Sequence, residues 1–137
     1  MSRFVIDASV VLTWCFPDEN AVLAHKVALM FQQGDSAIAP AFWPHEVLNA
    51  LLVGEKRKRI SAPQIDAFLQ DLATLPVELH YSPAADVFGQ IQQLTREHEL
   101  TAYDAAYLHL AEVNSLRLAT LDAALIAACR RSGIELV

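Results

Sequence analysis

The strongest constraint on the fold is an alternation of short apolar runs with longer segments of helical periodicity. The short runs predict strands, because they are apolar and too short for helices; they are Phe4–Ile6, Ala37–Ala39, Val77–His80, Leu116–Ala119 and Ile134–Val137. Strand, helix and strand in succession imply crossover connections and parallel pairing. The sequence therefore predicts an α/β fold of three layers, α/β/α, around a mainly parallel five-stranded sheet.

The segments between these runs carry apolar residues three and four positions apart. The clearest sets are Leu23, Val27, Met30 and Phe31; Val47, Leu48, Leu51 and Leu52; and Ile65, Phe68, Leu69 and Leu72. Each set predicts one apolar helix face. Helix ends are marked as well, since Ser61 with Gln64 forms a capping-box pattern and Gly133 is expected to end the last helix.

Length and composition place the chain among ordinary globular domains. With 137 residues and 54% hydrophobic content, it is expected to form one domain, residues 1–137. No apolar run approaches the roughly 18 to 20 residues of a membrane span, and no signal-peptide pattern is expected at the N-terminus. Cys15 and Cys129 lack the spacing of metal ligands and predict free thiols in a reducing compartment. We therefore expect a cytoplasmic location.

The net charge of −6 argues against indiscriminate binding to nucleic acids, because such affinity comes from lysines and arginines that displace counterions. Four of the ten basic residues nevertheless stand together, as Lys56, Arg57, Lys58 and Arg59. This basic cluster is a candidate for contacts with RNA phosphates. It can equally offset the dipole at a helix C-terminus, and the two interpretations are compatible.

Four acids occupy positions at which α/β folds place ligands. Asp7 and Asp122 each follow a predicted strand, and parallel strands end at the same edge of a sheet. Glu46 and Asp104 each fall in the first turn of a predicted helix, Asp104 three residues after the expected N-cap Thr101.

Two interpretations of these acids remain open on composition and spacing alone. Each acid can cap a helix or complement its dipole with no catalytic purpose. If the fold gathers them, however, the carboxylates repel one another unless a cation neutralises them. An all-oxygen ligand set favours Mg²⁺ or Mn²⁺ and suits hydrolysis of phosphodiesters.

The sequence gives little support for other kinds of catalytic site. The histidines lack the paired spacing of zinc enzymes, and only His45 adjoins a candidate acid. The glycines form no P-loop, and no Gly-x-Ser-x-Gly elbow is present. An aspartate phosphotransfer domain would also cluster acids at strand ends, but Asp7-Ala8-Ser9 lacks the second acid that such domains place two residues after the nucleophile.

Several aromatic residues accompany the candidate acids along the chain. They can supply a surface on which bases stack, although aromatic residues in such positions more often belong to the core or to an interface. The residues are Trp14, Phe42, Trp43, Tyr103 and Tyr107.

Four motifs, in order along nearly the whole chain, resemble those of PIN-domain ribonucleases, specifically VapC-type toxins of VapBC toxin–antitoxin pairs. The motifs are Val5-Ile6-Asp7-Ala8-Ser9 with Trp14 and Asp18-Glu19; Pro44-His45-Glu46-Val47-Leu48-Asn49-Ala50-Leu51; Leu100-Thr101-Ala102-Tyr103-Asp104-Ala105-Ala106-Tyr107; and Leu118-Ala119-Thr120-Leu121-Asp122. Some relatives carry a further acid after the fourth motif, where this chain has Ala123 and Ala124. That departure puts full occupancy of a second metal site in doubt.

The resemblance implies a metal-dependent endoribonuclease in which Asp7, Glu46, Asp104 and Asp122 form the catalytic, metal-binding site. It also implies that Ser9, Thr120 and Asn49 support the site or orient the substrate, and that the chain forms a homodimer and binds a cognate antitoxin. A non-catalytic PIN-like module that acts through its antitoxin is the alternative.

Overall fold

The computed structural model describes residues 1–16 and 22–137, which form a four-stranded parallel sheet with helices packed around it. The strands are β1 (Arg3–Ile6), β2 (Ser36–Pro40), β3 (Val77–His80) and β4 (Leu118–Ala119), in the spatial order β3-β2-β1-β4. Asp18 and Glu19, part of the first motif, lie outside the described residues.

Helices fill the intervals between the strands. They are α1 (Ala8–Leu12), α2 (Val22–Gln32), α3 (Trp43–Lys56), α4 (Ala62–Leu72), α5 (Ala84–Asp86), α6 (Gln92–His98), α7 (Ala102–Asn114) and α8 (Ala123–Ser132). A π-helical turn, Val87–Ile91, joins α5 to α6. In the part of the chain that the structure describes, no helix has the length and apolar character needed to cross a membrane.

The sheet core is covered on both faces. Phe4, Val5 and Ile6 of β1 are all fully buried, although successive side chains of a strand point to opposite faces. Tyr107 and Leu108 of α7 are buried as well. Burial of consecutive strand residues is the pattern of a parallel sheet with helices on either side, so the three-layer prediction is confirmed.

The strand order creates a switch point at β1. The chain proceeds outward from β1 to β2 and β3, and then returns to place β4 on the other side of β1. Ile6 of β1 is level with Ala119 of β4, so the residues that follow them, Asp7 and Thr120, leave the sheet side by side. Open α/β sheets bind ligands at such a point, beyond the carboxyl ends of the strands.

The predicted fifth strand, Ile134–Val137, is wrong as a full strand. It forms one isolated parallel bridge, between Leu118 and Leu136. The amide of Leu118 donates to the carbonyl of Glu135, and the amide of Val137 donates to the carbonyl of Leu118. Since β4 has only two residues, a longer ladder has no partner to form on.

The predicted start of the fourth strand at Leu116 was also too early. Ser115 adopts the left-handed conformation at the end of α7, with φ of 54°, and the amide of Leu116 still bonds to Ala111 of that helix. Helix termination therefore uses residues that hydropathy alone assigns to the strand.

Two further sequence predictions on helices met different outcomes. The capping box at the start of α4 is confirmed, because Ser61 and Gln64 bond reciprocally through their side chains and amides. The apolar face predicted on α3 is only half buried: Leu51 is fully buried, whereas Leu48 and Leu52 are 40% and 42% exposed. The stripe is thus wider than the face that packs on the core.

Candidate active site

Asp7 lies at the carboxyl end of β1, and two hydroxyl groups hold its side chain. The hydroxyl of Ser9 donates to Oδ2 of Asp7 at 2.8 Å, and the hydroxyl of Thr120 donates to the same oxygen at 2.7 Å. The Asp7 residue is only 7% exposed. Parallel pairing of β1 with β4 brings Thr120 to this position across 113 residues of sequence.

The same hydroxyls also fix the segment that carries Asp122. The amide of Leu121 donates to Oγ of Ser9 at 3.0 Å, and the amide of Asp122 donates to Oγ1 of Thr120 at 3.1 Å. Oδ1 of Asp122 caps α8 by accepting from the amide of Leu125 at 2.8 Å. Asp7 and Asp122 are therefore parts of one hydrogen-bonded network.

Glu46 lies in the first turn of α3, where Pro44 occupies a position that needs no amide donor. Its Oε1 accepts a hydrogen bond from the hydroxyl of Tyr107, a fully buried residue of α7. Phe42 packs edge-on against the Tyr107 ring, with centroids 5.7 Å apart. Burial and then the nearby acids raise the pKa of Tyr107 far above its usual value, so the hydroxyl stays protonated and donates.

Asp104 lies in the first turn of α7, on the same helix as Tyr107. Thr101 is the N-cap of α7, as predicted, and its hydroxyl accepts from the amide of Asp104 at 3.1 Å. Tyr107 is three positions after Asp104, so both side chains project from one helix face. Helix α7 thereby supplies both an acid and the group that orients Glu46.

The four acids form one electrostatic cluster. Burial raises the pKa of Asp7 above its ordinary value, and the charge of Asp122 raises it further. Burial likewise raises the pKa of Glu46, and Asp7 and Asp104 add to this effect. The pKa of Asp104 is raised by burial and then by the charges of Asp122 and Asp7. The fold thus brings together the four acids that the sequence singled out, in an environment that disfavours their combined negative charge.

The chemistry of this cluster fits a hard divalent cation, since every candidate ligand is a carboxylate oxygen. The side chains are not arranged as a closed cage: within residues 1–16 and 22–137, no three acidic, histidine or cysteine side chains converge tightly enough to form a ready ligand set. Asp122 is turned toward its helix cap and Glu46 toward Tyr107. The acids are therefore neighbours within the range of their charges, and not a preformed chelate.

The capping interpretation of the acids proves compatible with a shared site. Asp122 is the N-cap of α8, and the first-turn acids Glu46 and Asp104 complement their helix dipoles. Yet capping does not require the acids to be neighbours, and their mutual repulsion works against stability. Helix capping therefore explains where each acid stands on its helix and leaves their convergence unexplained.

Other predicted residues border an open hollow of about 460 Å³ beside Glu46. His45 and Asn49 line it together with Phe42 and Tyr103. Tyr103 is 60% exposed, although its ring packs edge-on against Phe42 at 5.1 Å. Of the aromatic residues that the sequence raised, Tyr103 is thus available for stacking, whereas Trp43 and Tyr107 belong to the core.

The basic cluster surrounds the end of α3. Lys56 is the last residue of the helix, Arg57 is its C-cap, and Lys58 adopts a left-handed conformation with φ of 58°. The guanidinium of Arg59 lies over the ring of Phe16, 4.4 Å from its centroid. All four basic residues are exposed, as expected both of dipole compensation and of phosphate contacts.

One site residue escaped the sequence reasoning. The sequence predicted that Tyr107 is a core residue or a surface for base stacking, whereas its hydroxyl donates a hydrogen bond to Glu46. A signal was present in the spacing, because a tyrosine one turn after Asp104 on an otherwise apolar helix face implies a buried hydroxyl in need of a partner. The two cysteines, by contrast, are free as predicted.

The sequence of the chain was compared with those of known proteins. No protein-family model matches the chain. Ribonuclease VapC3 from Pyrobaculum aerophilum is 28% identical over 120 residues, which are 88% of this chain and 89% of that protein.

Solved structures show the same fold at lower identity. PAE2754 from Pyrobaculum aerophilum matches with a TM-score of 0.70 at 20% identity, over 93% of this chain and 84% of the other. FitAcB from Neisseria gonorrhoeae matches with a TM-score of 0.65 at 15% identity, over 99% and 96%. A toxin–antitoxin complex from Klebsiella pneumoniae matches with a TM-score of 0.55 at 16% identity, over 87% and 86%. The chain is therefore similar in sequence to Ribonuclease VapC3 over most of both chains, and it shares its fold with these solved structures.

Proposed function

We propose that the chain is a Mg²⁺-dependent endoribonuclease, the toxin component of a type II toxin–antitoxin system. The observation that carries this proposal is the convergence of Asp7, Glu46, Asp104 and Asp122, whose burial and mutual charges raise the pKa values of three of them. Such a cluster is unfavourable for folding unless a cation neutralises it. The similarity to Ribonuclease VapC3 supports RNA as the substrate.

The carboxylates of Asp7 and Asp104 would hold the principal Mg²⁺, with Glu46 and Asp122 completing the site through water or a second ion; Mn²⁺ is an acceptable substitute. When bound, the metal supplies an activated water and charge neutralisation at the phosphate. The open arrangement of the acids means that their side chains would rotate or bind through water to complete the ligand set.

The protein's own groups would act on position and on protons. Ser9 and Thr120 hold Oδ2 of Asp7, which fixes the direction of that carboxylate toward the substrate. Tyr107 does the same for Glu46, and Asn49 stands one helical turn further along α3, where its amide can contact the RNA backbone. Burial raises the pKa values of Asp7, Glu46 and Asp104, which favours acceptance of a proton by one of these acids.

The proposal extends to partners and location. A toxin–antitoxin complex among the structural neighbours supports a cognate antitoxin as partner. The exposed apolar residues Leu48 and Leu52 of α3 are surfaces that a homodimer or an antitoxin segment could cover. A reducing, cytoplasmic setting agrees with free Cys15 and Cys129.

The test is incubation of the purified, antitoxin-free protein with total cellular RNA in Mg²⁺, in Mn²⁺ or in chelator. We expect discrete fragments that require metal and that disappear in Asp7→Asn and Asp104→Asn, with losses of at least about 100-fold. Asp66→Asn, an exposed acid of α4, is the matched control and should cleave normally. Full activity in Asp104→Asn would overturn the site, and RNA left intact under every condition while an antitoxin still binds would favour a non-catalytic module.

A further inference from the structure

A groove leads from the carboxylate cluster to the basic cluster at the end of α3. Its volume is about 350 Å³, and it runs between α1 and α3. Ser9 and Leu121 line its inner end, Phe16 and Val53 line its apolar walls, and Arg57 and Arg59 line its outer end. Ser9 is the residue whose hydroxyl bonds to Asp7, so the inner end of the groove adjoins the proposed active site.

We propose that this groove holds the RNA strand next to the scissile phosphate, with Arg57 binding a neighbouring phosphate. The inference rests on the proposed ribonuclease function and names the path of its substrate. It also singles out Arg57 within the basic cluster. Arg57 lines this groove and not the neighbouring hollow, Arg59 lines both, and Lys58 lines only the neighbouring hollow.

Charge complementarity supports RNA as the occupant. The chain carries a net charge of −6, and its four-acid cluster repels a polyanion. A substrate phosphate therefore approaches most favourably from a direction that offers cations, and the outer end of the groove carries the exposed guanidinium group of Arg57. Guanidinium groups suit phosphate oxygens, because their planar donors can bond to two oxygens at once.

The shape of the groove agrees with a single strand. Its volume lies near the lower end of the roughly 300 to 1,000 Å³ range of small-molecule pockets, which suits a nucleotide-sized group. Apolar walls give a base or ribose a surface to pack on, while phosphates remain at the polar ends. The stacking of Arg59 on Phe16 limits the positions that this guanidinium can take.

The left-handed backbone of Lys58 contributes to this arrangement. With φ of 58° at Lys58, the chain reverses direction immediately after α3, and the amide of Arg59 bonds to the carbonyl of Gly54. Gly54 itself lies against Phe16, where an added Cβ would come within 2.8 Å of the ring. The end of α3 is thus packed closely onto Phe16, which brings the two arginines to the groove.

The experiment compares RNA binding and cleavage in Arg57→Gln and in Arg130→Gln, an exposed arginine in the last turn of α8. Binding is measured in an Asp104→Asn background by fluorescence anisotropy with a labelled single-stranded RNA of mixed sequence, across a salt series. Cleavage of total cellular RNA is measured with Asp104 intact. We expect Arg57→Gln to weaken RNA binding roughly 3- to 10-fold and to lower the slope of log affinity against log salt by about 0.7, while Arg130→Gln changes neither.

Two further variants sharpen the test. Arg57→Lys retains the charge and should recover most of the affinity, which a purely structural role for Arg57 would not predict. Lys58→Gln should cost less than Arg57→Gln. In cleavage, Arg57→Gln should raise KM and leave kcat nearly unchanged.

The outcomes separate the groove from the ribonuclease proposal. If the wild-type protein cleaves RNA and Arg57→Gln binds and cleaves like Arg130→Gln, the groove is refuted and the ribonuclease stands. Equal losses in Arg57→Gln and Lys58→Gln would also refute it, in favour of a diffuse basic patch. If Arg57→Gln loses affinity for the antitoxin and none for RNA, the groove is a protein-binding site. Absence of metal-dependent cleavage by the wild type would overturn both proposals.

Discussion

Asp7 and Glu46 belong to the same acidic cluster and both accept hydrogen bonds from hydroxyl groups, but different structural elements position them. Asp7 stands at a strand end, 7% exposed, and receives hydroxyls from Ser9 and Thr120 on a single oxygen. Glu46 stands in a helix turn, half-buried, and its hydrogen bond comes from Tyr107, whose ring packs against Phe42. We call these the strand half and the helix half of the site; Asp122 belongs to the first and Asp104 to the second.

The hydrogen bonds indicate that the strand half of the site is more rigid than the helix half. In the strand half, sheet register and shared hydroxyls connect Asp7 to Asp122, so neither can move without breaking several bonds. In the helix half, Glu46 and Asp104 lie on separate helices, and Glu46 borders an open hollow. We infer that the strand half supplies a fixed reference point and that the helix half adjusts to ligands.

The largest effect expected from this contrast is on metal-dependent cleavage. Thr120→Val removes the donor to Asp7 and the acceptor for the amide of Asp122, so activity and Mg²⁺ affinity should fall about 10- to 100-fold. Tyr107→Phe removes one hydrogen bond from the adjustable half and should cost less than about 10-fold.

Mg²⁺ titrations of cleavage, with calorimetry of Mg²⁺ binding, measure both variants. Thr74→Val, which removes an exposed hydroxyl bonded to the carbonyl of Asp71, is the matched control and should be neutral. A loss in Tyr107→Phe equal to or greater than that in Thr120→Val would contradict the assignment of rigidity to the strand half.

A second, smaller effect separates capping from function at Asp122. Asparagine keeps a side-chain oxygen for the amide of Leu125, whereas alanine does not, so Asp122→Ala should lose about 1 kcal/mol of unfolding free energy and Asp122→Asn much less. Both variants should lose cleavage, because both remove the charge. Urea denaturation in chelator measures the stabilities, and an active Asp122→Asn would show that this acid is only a cap.

The smallest effect concerns the stability of the metal-free protein. Burial and neighbouring charges raise the folded-state pKa values of Asp7, Glu46 and Asp104 above those of the unfolded chain. The folded state therefore binds more protons, and the stability contributed by these groups is present below pH about 4 and lost as pH rises through the raised values. In chelator, Tm should fall over this range and recover on addition of Mg²⁺.

Removal of one carboxylate charge should raise Tm in both halves of the site. Asp7→Asn and Asp104→Asn should each raise Tm in chelator at neutral pH by a few degrees, with the more buried Asp7 giving the larger gain. Differential scanning calorimetry with and without Mg²⁺ measures this, and Asp66→Asn again serves as control. A lower Tm in both variants would mean that the acids stabilise the fold and would favour the capping interpretation.

Local patterns predicted much of the fold because they follow from local physics. The capping box of Ser61 and Gln64, the N-cap Thr101 and the bounds of β3 depend on neighbouring residues alone, and the structure has them as predicted. Predictions that depended on distant partners fared worse. The predicted strand Ile134–Val137 forms only one bridge, because its neighbour β4 is too short. On α3, hydropathy does not distinguish the exposed apolar residues Leu48 and Leu52 from the buried Leu51.

The sequence by itself determined the layer architecture and the acids, since periodicity, turn residues and motif spacing are written along the chain. Only the tertiary structure decided which groups meet: Thr120 and Ser9 on one oxygen of Asp7, Tyr107 on Glu46, and Arg57 and Arg59 at the outer end of a groove from the acids. The physical reason is that strand register brings Thr120 to Asp7 across 113 positions and helix packing brings Tyr107 to Glu46 across 61 positions, and no local interaction encodes either contact.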